Sequence, residues 1–423
     1  MALHDEMIDL GRRARKAAQR LAQLPTAHKN AALAAMADEI VCQTATILAA
    51  NEQDLARARS NGLSGAMLDR LTLTDSRIQS MANGIRQVAQ LPDPVGETIR
   101  AWTQPNGIRI AKMRVPIGVV GIIYESRPNV TSDAAVLCTK TGNATILRGG
   151  SEAIRSNLAI AAALQEGGAK AGLPNDCILL VPHTDRDAVR QMAEMDRYID
   201  LIIPRGGKAL IEAVVKVARM PVIKHSDGIC LVYIDEAADL GMATEIVVNA
   251  KTQRPGVCNA IETILVHRAI APEFLRRLGP RLKEKQVELR ADQTAFAELS
   301  QDGYEKLRAA TEDDWSTEFL DLILAIKTVD SPNEAIQHID HFGSHHSDCI
   351  VTRDEELAER FLREVDSATV YWNASTRFTD GSEFGFGAEI GISTDKLHAR
   401  GPMGLEELTT YKYVIRGDGQ IRK

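Results

Sequence analysis

Gly118-Val119-Val120-Gly121-Ile122-Ile123-Tyr124 is the stretch of this sequence that decides the fold. It is short, apolar on both faces, and followed by polar residues and a helical pattern. Three similar runs follow it along the chain: Ala144-Thr145-Ile146-Leu147, Cys177-Ile178-Leu179-Leu180-Val181 and Leu201-Ile202-Ile203. Strands that are apolar on both faces and alternate with helices form parallel sheets covered on both sides. The pattern therefore predicts a doubly wound nucleotide-type α/β domain.

A second series of apolar runs predicts a second α/β domain. These runs fall at residues 229–234, 261–267, 322–328, 349–352 and 369–373. A helix ending at about Thr252 is predicted between the first two. Ligands of such proteins bind in a cleft between domains, at the carboxyl ends of strands, so we expect the binding residues there.

The remaining segments follow other patterns. Before residue 98 the apolar positions recur at helical spacing, from Met7 through Ile47, so helices dominate this part. Residues 108–113 alternate apolar with basic side chains, and Asn106-Gly107 just before them is a hairpin turn signal. We therefore predict a two-stranded ribbon over residues 98–115.

Composition limits the classes of function. A chain of 423 residues is too long for one core and indicates two or more domains. The formal net charge of −7 gives no general attraction to nucleic-acid phosphates or to anionic lipid. No window reaches the ~18 consecutive apolar residues of a membrane span. We expect neither a nucleic-acid partner nor a membrane.

The cysteines and the start of the chain indicate a cytoplasmic protein. The six cysteines are scattered, with no pair or Cys/His cluster at metal-ligand spacing: Cys42, Cys138, Cys177, Cys230, Cys258 and Cys349. Residues 1–6 are acidic and lack the basic flank and apolar core of a secretory signal. We expect a reducing compartment and no structural zinc.

Two predicted strand ends carry glycine and a basic residue. They read Leu147-Arg148-Gly149-Gly150-Ser151 and Ile203-Pro204-Arg205-Gly206-Gly207-Lys208. Glycine lets a ligand approach the backbone, and the N-terminus of the following helix offers N–H groups and partial positive charge to a phosphate. The alternative is two tight turns with solvated charges. The GxGxxG fingerprint of ordinary dinucleotide binding does not occur.

Gln253-Arg254-Pro255-Gly256-Val257-Cys258-Asn259-Ala260 places one cysteine between a Pro-Gly turn and an apolar run. A cysteine at such a turn has an exposed backbone and a sulfur directed outward, as a thiolate nucleophile requires. The alternative is a small buried side chain, because cysteine is among the residue types most often buried. The octapeptide alone leaves both interpretations open.

The order of these features resembles the aldehyde dehydrogenase superfamily over nearly the whole chain. The matching elements are Pro116-Ile117-Gly118-Val119-Val120-Gly121, Arg148-Gly149-Gly150-Ser151, Gly206-Gly207, Cys258, Glu318-Phe319-Leu320 and Thr352-Arg353-Asp354. Longer elements are similar to one branch, the γ-glutamyl phosphate reductase family. These are Tyr124-Glu125-Ser126-Arg127-Pro128-Asn129-Val130-Thr131, Arg254-Pro255-Gly256-Val257-Cys258-Asn259, and residues 329–339 running into 343–350.

The resemblance implies an aldehyde dehydrogenase-like fold with two doubly wound α/β domains and a small oligomerisation ribbon. It implies a cofactor-binding domain of residues 1–97 and 116–228 with a return segment near 386–402. A catalytic domain spans 229–385, and the oligomerisation segments are 98–115 and 403–423. The implied reaction is the NADPH-dependent reduction of L-glutamyl 5-phosphate to L-glutamate 5-semialdehyde, the second step of proline biosynthesis from glutamate.

That reaction assigns roles to three candidate catalytic residues. Reduction of an acyl phosphate proceeds most easily through a thioester, for which Cys258 is the nucleophile. The oxyanion intermediates need N–H donors. The Cys258 backbone N–H is one, and the resemblance suggests the Asn129 amide as a second, unless Asn129 only caps the following helix. His225 replaces the glutamate that activates water in hydrolytic relatives. The absence of that carboxylate agrees with phosphate, and not water, as the group that exchanges with the thioester. His225 either assists proton transfer or phosphate binding, or is a structural histidine.

The resemblance also implies a cofactor site. Arg148 replaces a lysine that reaches the adenosine ribose in relatives, and its planar fork suits a 2′-phosphate, which favours NADPH over NADH. Around it we expect Gly149, Gly150 and Ser151. Gly206 and Gly207 would border the pyrophosphate, and Glu318 would hold the nicotinamide ribose, unless it is an exposed surface carboxylate.

The substrate carries both signs of charge, and the sequence offers several candidates to meet them. The candidates for its anionic groups are Arg127, Lys140, Arg254 and His346; those for its ammonium are Glu125, Asp133 and Asp348. Most such charges in proteins are structural or solvated. His345-His346 lacks further ligands at metal spacing, so we predict no metal site.

Partners follow from the same resemblance. The ribbon and the strand-like residues 408–416 predict a homo-oligomer, at least a dimer, unless the terminal strand pairs within its own subunit. The chain carries no kinase segment, so we expect a separate glutamate kinase to supply the acyl phosphate, with a transient complex as a hypothesis. Two other functions stay open: reduction of an acyl-CoA or oxidation of a free aldehyde, and nucleotide binding without catalysis.

Overall fold

The protein, described by a computed structural model over residues 3–63, 65–125, 127–224, 227–301 and 303–422, forms two compact units. Unit 1 comprises residues 1–224, 385–391 and 403–423; unit 2 comprises residues 225–384 and 392–402. The first boundary between these units lies at 224/225, and the predicted domain boundary at 228/229 stays a prediction. The return segment near 386–402 is also divided: residues 392–402 belong to unit 2, where Arg400 Nη1 bonds to Asp366 Oδ1 at 2.8 Å.

Unit 1 begins with five helices, in agreement with the helical spacing of its sequence. They are α1 Leu3–Leu21, α2 Thr26–Cys42, α3 Thr44–Ser60, α4 Gly65–Leu71 and α5 Asp75–Gln90. The elements that follow are β1 Thr98–Thr103, β2 Arg109–Pro116, β3 Val119–Tyr124, α6 Asn129–Lys140, β4 Ala144–Arg148, α7 Ile154–Lys170, β5 Ile178–Leu180, α8 Arg186–Ala193, β6 Leu201–Arg205 and α9 Lys208–Val217.

A parallel sheet with the strand order β5-β4-β3-β6 forms the centre of unit 1. Every residue of β3 and β4 is buried, because helices cover both faces of the sheet. The chain order reverses between β3 and β6, where Tyr124 pairs with Arg205. In open α/β sheets ligands bind at the carboxyl ends of strands beside such a reversal. The predicted doubly wound nucleotide-type arrangement is thus confirmed for these four strands.

Unit 2 contains a seven-stranded sheet whose strand pairs are all parallel, in the order β10-β9-β11-β8-β7-β12-β13. Its elements are β7 Cys230–Ile234, α10 Leu240–Thr252, β8 Ile261–His267, α11 Ala271–Glu284, β9 Glu288–Ala291, α12 Gln293–Gln301, β10 Leu307–Ala309, β11 Ile323–Val329, α13 Pro332–Phe342, β12 Ser347–Val351, α14 Glu355–Glu364, β13 Thr369–Trp372, β14 Ile392–Ser393 and β15 Gly401–Pro402. Five strands match the sequence prediction; β9 and β10 are short, carry charged residues and were not predicted.

The predicted ribbon is a three-stranded antiparallel sheet of order β1-β2-β16, where β16 is Thr409–Arg416. Gly107 adopts φ +85° in the predicted hairpin turn, a conformation that glycine reaches without strain. The terminal strand β16 pairs with β2 along all eight of its residues, within the same chain. Tyr413 on β16 packs edge-on against Trp102 on β1, with 6.2 Å between ring centroids.

Within the described part of the chain, no single helix is both long and apolar enough to cross a membrane. Only α2 and α3 taken together reach that length and composition, and they are bent by 64° relative to each other.

Candidate active site

Cys258 lies in the turn between α10 and β8, and its side chain is half-buried. A hydrogen bond from Ala260 N to Val257 O, 3.1 Å long, closes this turn. Because Cys258 precedes β8, it lies at the amino end of the sheet in unit 2. The expectation that the site residues lie at carboxyl ends of strands is therefore wrong for this unit.

The backbone of Cys258 is held from the side of β7. A Cβ atom on Gly228 would lie 2.5 Å from Cys258 Cα and 2.4 Å from Cys258 O, so only glycine allows this approach. Two residues further on, the buried Cys230 thiol donates a hydrogen bond to Cys258 O at 3.2 Å. Both contacts fix the backbone that presents the Cys258 sulfur.

The following residue, Asn259, anchors the turn on the other side. It is buried, its Nδ2 donates to Thr379 O at 2.8 Å, and its own carbonyl accepts from Thr376 Oγ1 at 2.7 Å. A side chain on a backbone restrained at both neighbours loses little entropy in reaching a reactive geometry. The backbone on both sides of Cys258 therefore holds its half-buried thiol in a defined position.

Two arginines accompany the Cys258 turn, one of which the sequence did not suggest. Arg377 Nε donates to Gln253 Oε1 at 2.7 Å. Burial and the neighbouring charge of Arg254 lower the pKa of Arg377, while the negative charges of Asp380 and of the Cys258 thiolate raise it. Arg254, one of the predicted substrate residues, is exposed. The Arg377 guanidinium is close enough to Cys258 to feel the charge of the thiolate, and such a cation suits an anionic leaving group.

Glu318 contacts the same backbone that packs on Cys258. Its half-buried carboxylate accepts a hydrogen bond from the Gly228 backbone N–H. Burial raises the pKa of Glu318, and that hydrogen bond opposes the rise. The structure thus brings both the predicted cofactor residue Glu318 and the predicted nucleophile Cys258 into contact with Gly228.

Arg148, at the carboxyl end of β4 in unit 1, is buried. Its Nη2 donates to Thr184 O at 2.5 Å and to Asp185 O at 3.3 Å, and burial lowers its pKa. Its Nε is also buried and has no hydrogen-bond partner among the described residues. A buried donor without a partner costs free energy and is suited to an incoming acceptor.

The first glycine turn packs tightly against α7. A Cβ on Gly149 would lie 2.1 Å from Asn157 Nδ2, so internal packing by itself accounts for this glycine. Gly150 and Ser151 lead into a short 3-10 turn before α7. The N-terminus of α7 is met by the buried carboxylate of Asp54, which accepts from Ser156 N at 2.8 Å. The Ser156 N–H is therefore occupied by a carboxylate of the protein itself.

The second glycine turn retains an open approach. A Cβ on Gly207 would have no neighbour within 4 Å. The Gly207 N–H donates to Glu125 Oε2 at 3.1 Å, and a Cβ on Gly206 would lie 2.4 Å from the same oxygen. Glu125 is exposed and follows β3 directly, at the reversal of strand order. An exposed carboxylate therefore occupies the helix N-terminus at which we expected the pyrophosphate.

The loop after β3 carries the proposed second oxyanion donor. Asn129 is exposed and begins α6, and its Nδ2 donates to Asp133 Oδ2 at 2.8 Å instead of capping the helix. Burial raises the pKa of Asp133 to about 6, against the effect of this hydrogen bond. Arg127 is half-buried in the same loop. His225 lies outside the described residues.

The structure contradicts a substrate role for Lys140 and for Asp348. Lys140 is buried, and its Nζ donates to Asn30 Oδ1 at 2.6 Å and to Ala89 O at 3.0 Å, which ties α6 to α2 and α5. Asp348 is buried in β12, where it accepts from Leu231 N at 2.8 Å. Burial raises the pKa of Asp348 to about 7. Both charges are used inside the fold.

His346, one of the candidates for the anionic groups of the substrate, is used inside the fold. His346 is buried, with its Nδ1 2.8 Å from Ser347 Oγ and 3.5 Å from Cys230 Sγ.

No group of three or more His, Cys, Asp and Glu side chains is arranged to hold a metal ion within the part of the chain that the structure covers.

Comparison with known proteins agrees with these observations. Residues 4–314 match the family model described as the aldehyde dehydrogenase family. The chain is similar to γ-glutamyl phosphate reductase from Thermotoga maritima, with 46% sequence identity over 99% of this chain and 100% of that chain, and a TM-score of 0.96.

Two other solved structures extend the comparison. γ-Glutamyl phosphate reductase from Saccharomyces cerevisiae is 34% identical over 98% of both chains, with a TM-score of 0.52. An acetylating aldehyde dehydrogenase from Geobacillus thermoglucosidasius is 18% identical over 100% of this chain and 98% of that chain, with a TM-score of 0.69. At that identity the likeness concerns the fold alone.

Proposed function

The chain belongs to the γ-glutamyl phosphate reductases of the aldehyde dehydrogenase family, and from this membership we propose that it converts L-glutamyl 5-phosphate to L-glutamate 5-semialdehyde and phosphate. This reaction is the second step of proline biosynthesis from glutamate. The observation that carries the proposal is the half-buried Cys258 thiol on a backbone restrained by Gly228 and Asn259.

Cys258 acts as the nucleophile. Its thiolate attacks the acyl carbon of the substrate, the phosphate leaves with the bonding electron pair, and a thioester forms. A nicotinamide cofactor held by the residues assigned below would supply the hydride that reduces this thioester. The resulting thiohemiacetal then loses the Cys258 thiolate, which releases the aldehyde and restores the enzyme.

Negative charge develops on the substrate oxygen in both halves of the reaction. We assign its stabilisation to the Cys258 backbone N–H and to the Asn129 amide, because preorganised donors are worth several kcal/mol, on the order of 3 each, in such sites. The Asn129 amide has Asp133 as its present partner, 2.8 Å away. Its role as an oxyanion donor requires that this hydrogen bond be shared or exchanged.

The departing phosphate needs cations near the thiolate. Arg254 and Arg377 supply them in unit 2, since both charges act at the Cys258 turn. Arg127 is the remaining candidate from the sequence for an anionic group of the substrate. His225 is assigned, on the sequence alone, to proton transfer or phosphate contact in place of a water-activating carboxylate.

Aldehyde dehydrogenase family members use NAD(P), and we assign NADPH as the cofactor here. The buried Arg148 guanidinium, with its unpartnered Nε, suits a 2′-phosphate. Gly206 and Gly207 provide the open backbone for the pyrophosphate, and Gly149, Gly150 and Ser151 shape the neighbouring turn. Glu318 is assigned to the nicotinamide ribose hydroxyls.

The assembly and location are further proposals. We place the enzyme in the cytoplasm, because scattered cysteines without a disulfide framework are typical of a reducing compartment. The terminal strand β16 pairs within its own chain, which was the alternative to an oligomer, but it presents exposed apolar side chains, with Tyr413 56% and Ile415 62% exposed. From these side chains we propose at least a homodimer through the ribbon. Transient contact with a glutamate kinase would protect the labile acyl phosphate.

One assay tests the reaction. NADPH formation is followed with glutamate semialdehyde, NADP+ and phosphate, for the wild type, Cys258→Ala and the control Cys42→Ala at an exposed cysteine. We expect phosphate-dependent turnover that only Cys258→Ala abolishes. Turnover that proceeds without phosphate would contradict the proposal. So would a preference for an acyl-CoA over L-glutamyl 5-phosphate as the substrate in the reductive direction.

A further inference from the structure

Lys251 and Glu262 form an ion pair at the base of the turn that carries Cys258. Lys251 lies in the last turn of α10, and Glu262 is the second residue of β8. Lys251 Nζ is 2.6 Å from Glu262 Oε2, and both side chains are completely buried. Because Cys258 lies between them in the chain, the pair joins the residues that enter its turn to those that leave it.

Additional hydrogen bonds extend the pair to a third segment. Lys251 Nζ also donates to Ile261 O at 3.0 Å, at the start of β8. Glu262 Oε1 accepts from the backbone N–H of Leu320 at 3.4 Å. The pair thus joins the end of α10, the start of β8 and the backbone of residues 318–320.

The third segment needs such support. Leu320 adopts φ +55°, which costs free energy for a residue with a Cβ atom, and its side chain is 45% exposed. Packing of the leucine side chain therefore does little to hold this conformation, whereas the bond to Glu262 restrains it. Glu318, two residues earlier, contacts the Gly228 N–H beside Cys258.

Burial opposes the charged form of each member of the pair. Burial lowers the pKa of Lys251, and the charges of Glu262, Asp321 and Cys230 oppose this. Burial raises the pKa of Glu262 to about 7, which Lys251 opposes and the charge of Glu318 supports. A buried ion pair can often be replaced by apolar side chains without loss of stability.

We propose that Lys251 and Glu262 are positioning residues that set the Cys258 thiol and the Glu318 carboxylate in fixed relation to each other. They do so by closing the base of the Cys258 turn and by restraining the backbone of residues 318–320. The inference deepens the proposed function, on which the roles of Cys258 and Glu318 rest. Neither the Lys251 nor the Glu262 side chain is assigned a contact with substrate or cofactor.

Two double variants test it in a Cys42→Ala background, which removes an exposed thiol. Lys251→Met/Glu262→Met fills the same space without charges or these hydrogen bonds. Lys251→Gln/Glu262→Gln lacks the charges but keeps an amide pair and an acceptor for Leu320 N–H. Alkylation of Cys258 by iodoacetamide is measured without substrate, with Cys258→Ala as the blank, and kcat and KM are measured in the semialdehyde assay.

We expect the methionine pair to fold with an unchanged circular dichroism spectrum. Its alkylation rate and kcat should each fall about tenfold or more, with little change in the KM for semialdehyde, because misplacement of the thiol acts on the reacting geometry. The glutamine pair should recover most of both losses. A folded methionine pair with wild-type alkylation rate and kcat would overturn the proposal.

Hydrogen exchange of the wild type decides the matter if the methionine pair does not fold. The amides of residues 319–321 should be protected in the wild type and in the glutamine pair. Exchange of these amides at the rate of an unrestrained loop in the wild type would overturn the proposal. Alkylation and exchange require no turnover, so an inactive wild type would refute the proposed reaction while these two measurements still decide the positioning role.

Discussion

Gly228 approaches Cys258 so closely that a Cβ atom at position 228 would lie 2.5 Å from the Cα of Cys258. The neighbouring atoms are the backbone of Cys258, which cannot move without moving the thiol. The same glycine donates its N–H to Glu318. Position 228 therefore couples the nucleophile to a residue assigned to the cofactor.

This contact predicts that Gly228→Ala disables catalysis. The methyl group would displace the Cys258 backbone by a large fraction of an ångström, and kcat should fall about 100-fold, because misplacements near 1 Å have such effects. The matched control is Gly84→Ala in α5, where a Cβ meets no atom within 4 Å and alanine should stabilise the helix by about 0.5–1 kcal/mol. Semialdehyde kinetics and thermal unfolding measure both; equal activity of the two variants would contradict the prediction.

Strands in both units were predictable from the sequence because the pattern that determines them is local. The run at 119–124 and the segment from α10 to β8 carry apolar patterns whose length and spacing determine the element type. The hairpin at Gly107 follows from a turn that needs positive φ. By contrast, β9 includes Glu288 and Arg290, which pair with each other at 3.1 Å, and a charged four-residue run gives no strand signal.

Site residues were predictable only where the motif itself carries the chemistry. Cys258 has its turn and strand as sequence neighbours. Arg377 is brought to the same turn by packing between segments that are far apart in the sequence. No pattern in its own neighbourhood therefore indicates its role. Lys140 shows the opposite error: its charge made it a candidate for the anionic groups of the substrate, but packing of α2 and α5 buries it against Asn30 and Ala89.

Arg148→Met should remove the preference for NADPH. The guanidinium is the candidate partner of the 2′-phosphate, and loss of a charge-assisted bond should reduce the NADPH-to-NADH ratio of kcat/KM roughly tenfold or more. Arg155→Met on α7, an arginine whose side chain is 44% exposed, is the control. If Arg148→Met lowers activity with both cofactors equally, Arg148 serves only to hold the carbonyls of Thr184 and Asp185.

Glu125→Gln should tighten NADP+ binding. The Glu125 carboxylate lies on the Gly207 N–H at the N-terminus of α9, where it competes with a phosphate for the same donor and repels it. The amide keeps the shape without the charge, so the Kd should fall by about 2- to 5-fold at low salt, and less at high salt.

Calorimetric titration of NADP+ measures this effect, with Glu305→Gln as a control that removes the same charge from a side chain 85% exposed. An unchanged or weaker affinity in Glu125→Gln would show that Glu125 does not oppose the cofactor. It would favour instead the alternative from the sequence, in which Glu125 meets the substrate ammonium.

His338 should make the fold sensitive to acid. The ring is buried in α13, with centroids 5.7 Å from Trp315 and 4.6 Å from Phe342. Burial, together with the neighbouring charges of Lys327 and His341, lowers the pKa of His338 to about 3. Because the unfolded chain binds a proton on this ring near pH 6.5 and the folded protein does not, stability is lost as the pH falls from about 6.5 towards 3.

Between pH 7.5 and pH 5 the wild type should lose roughly 2 kcal/mol of unfolding free energy from this group alone. His338→Phe keeps the ring contacts and removes the titration, so its loss over the same interval should be smaller by that amount. His341→Phe, at the exposed histidine three residues later, should behave as the wild type. Urea unfolding at both pH values, followed by tryptophan fluorescence, measures the difference. An identical pH dependence for His338→Phe and the wild type would show that the buried ring accepts its proton without unfolding.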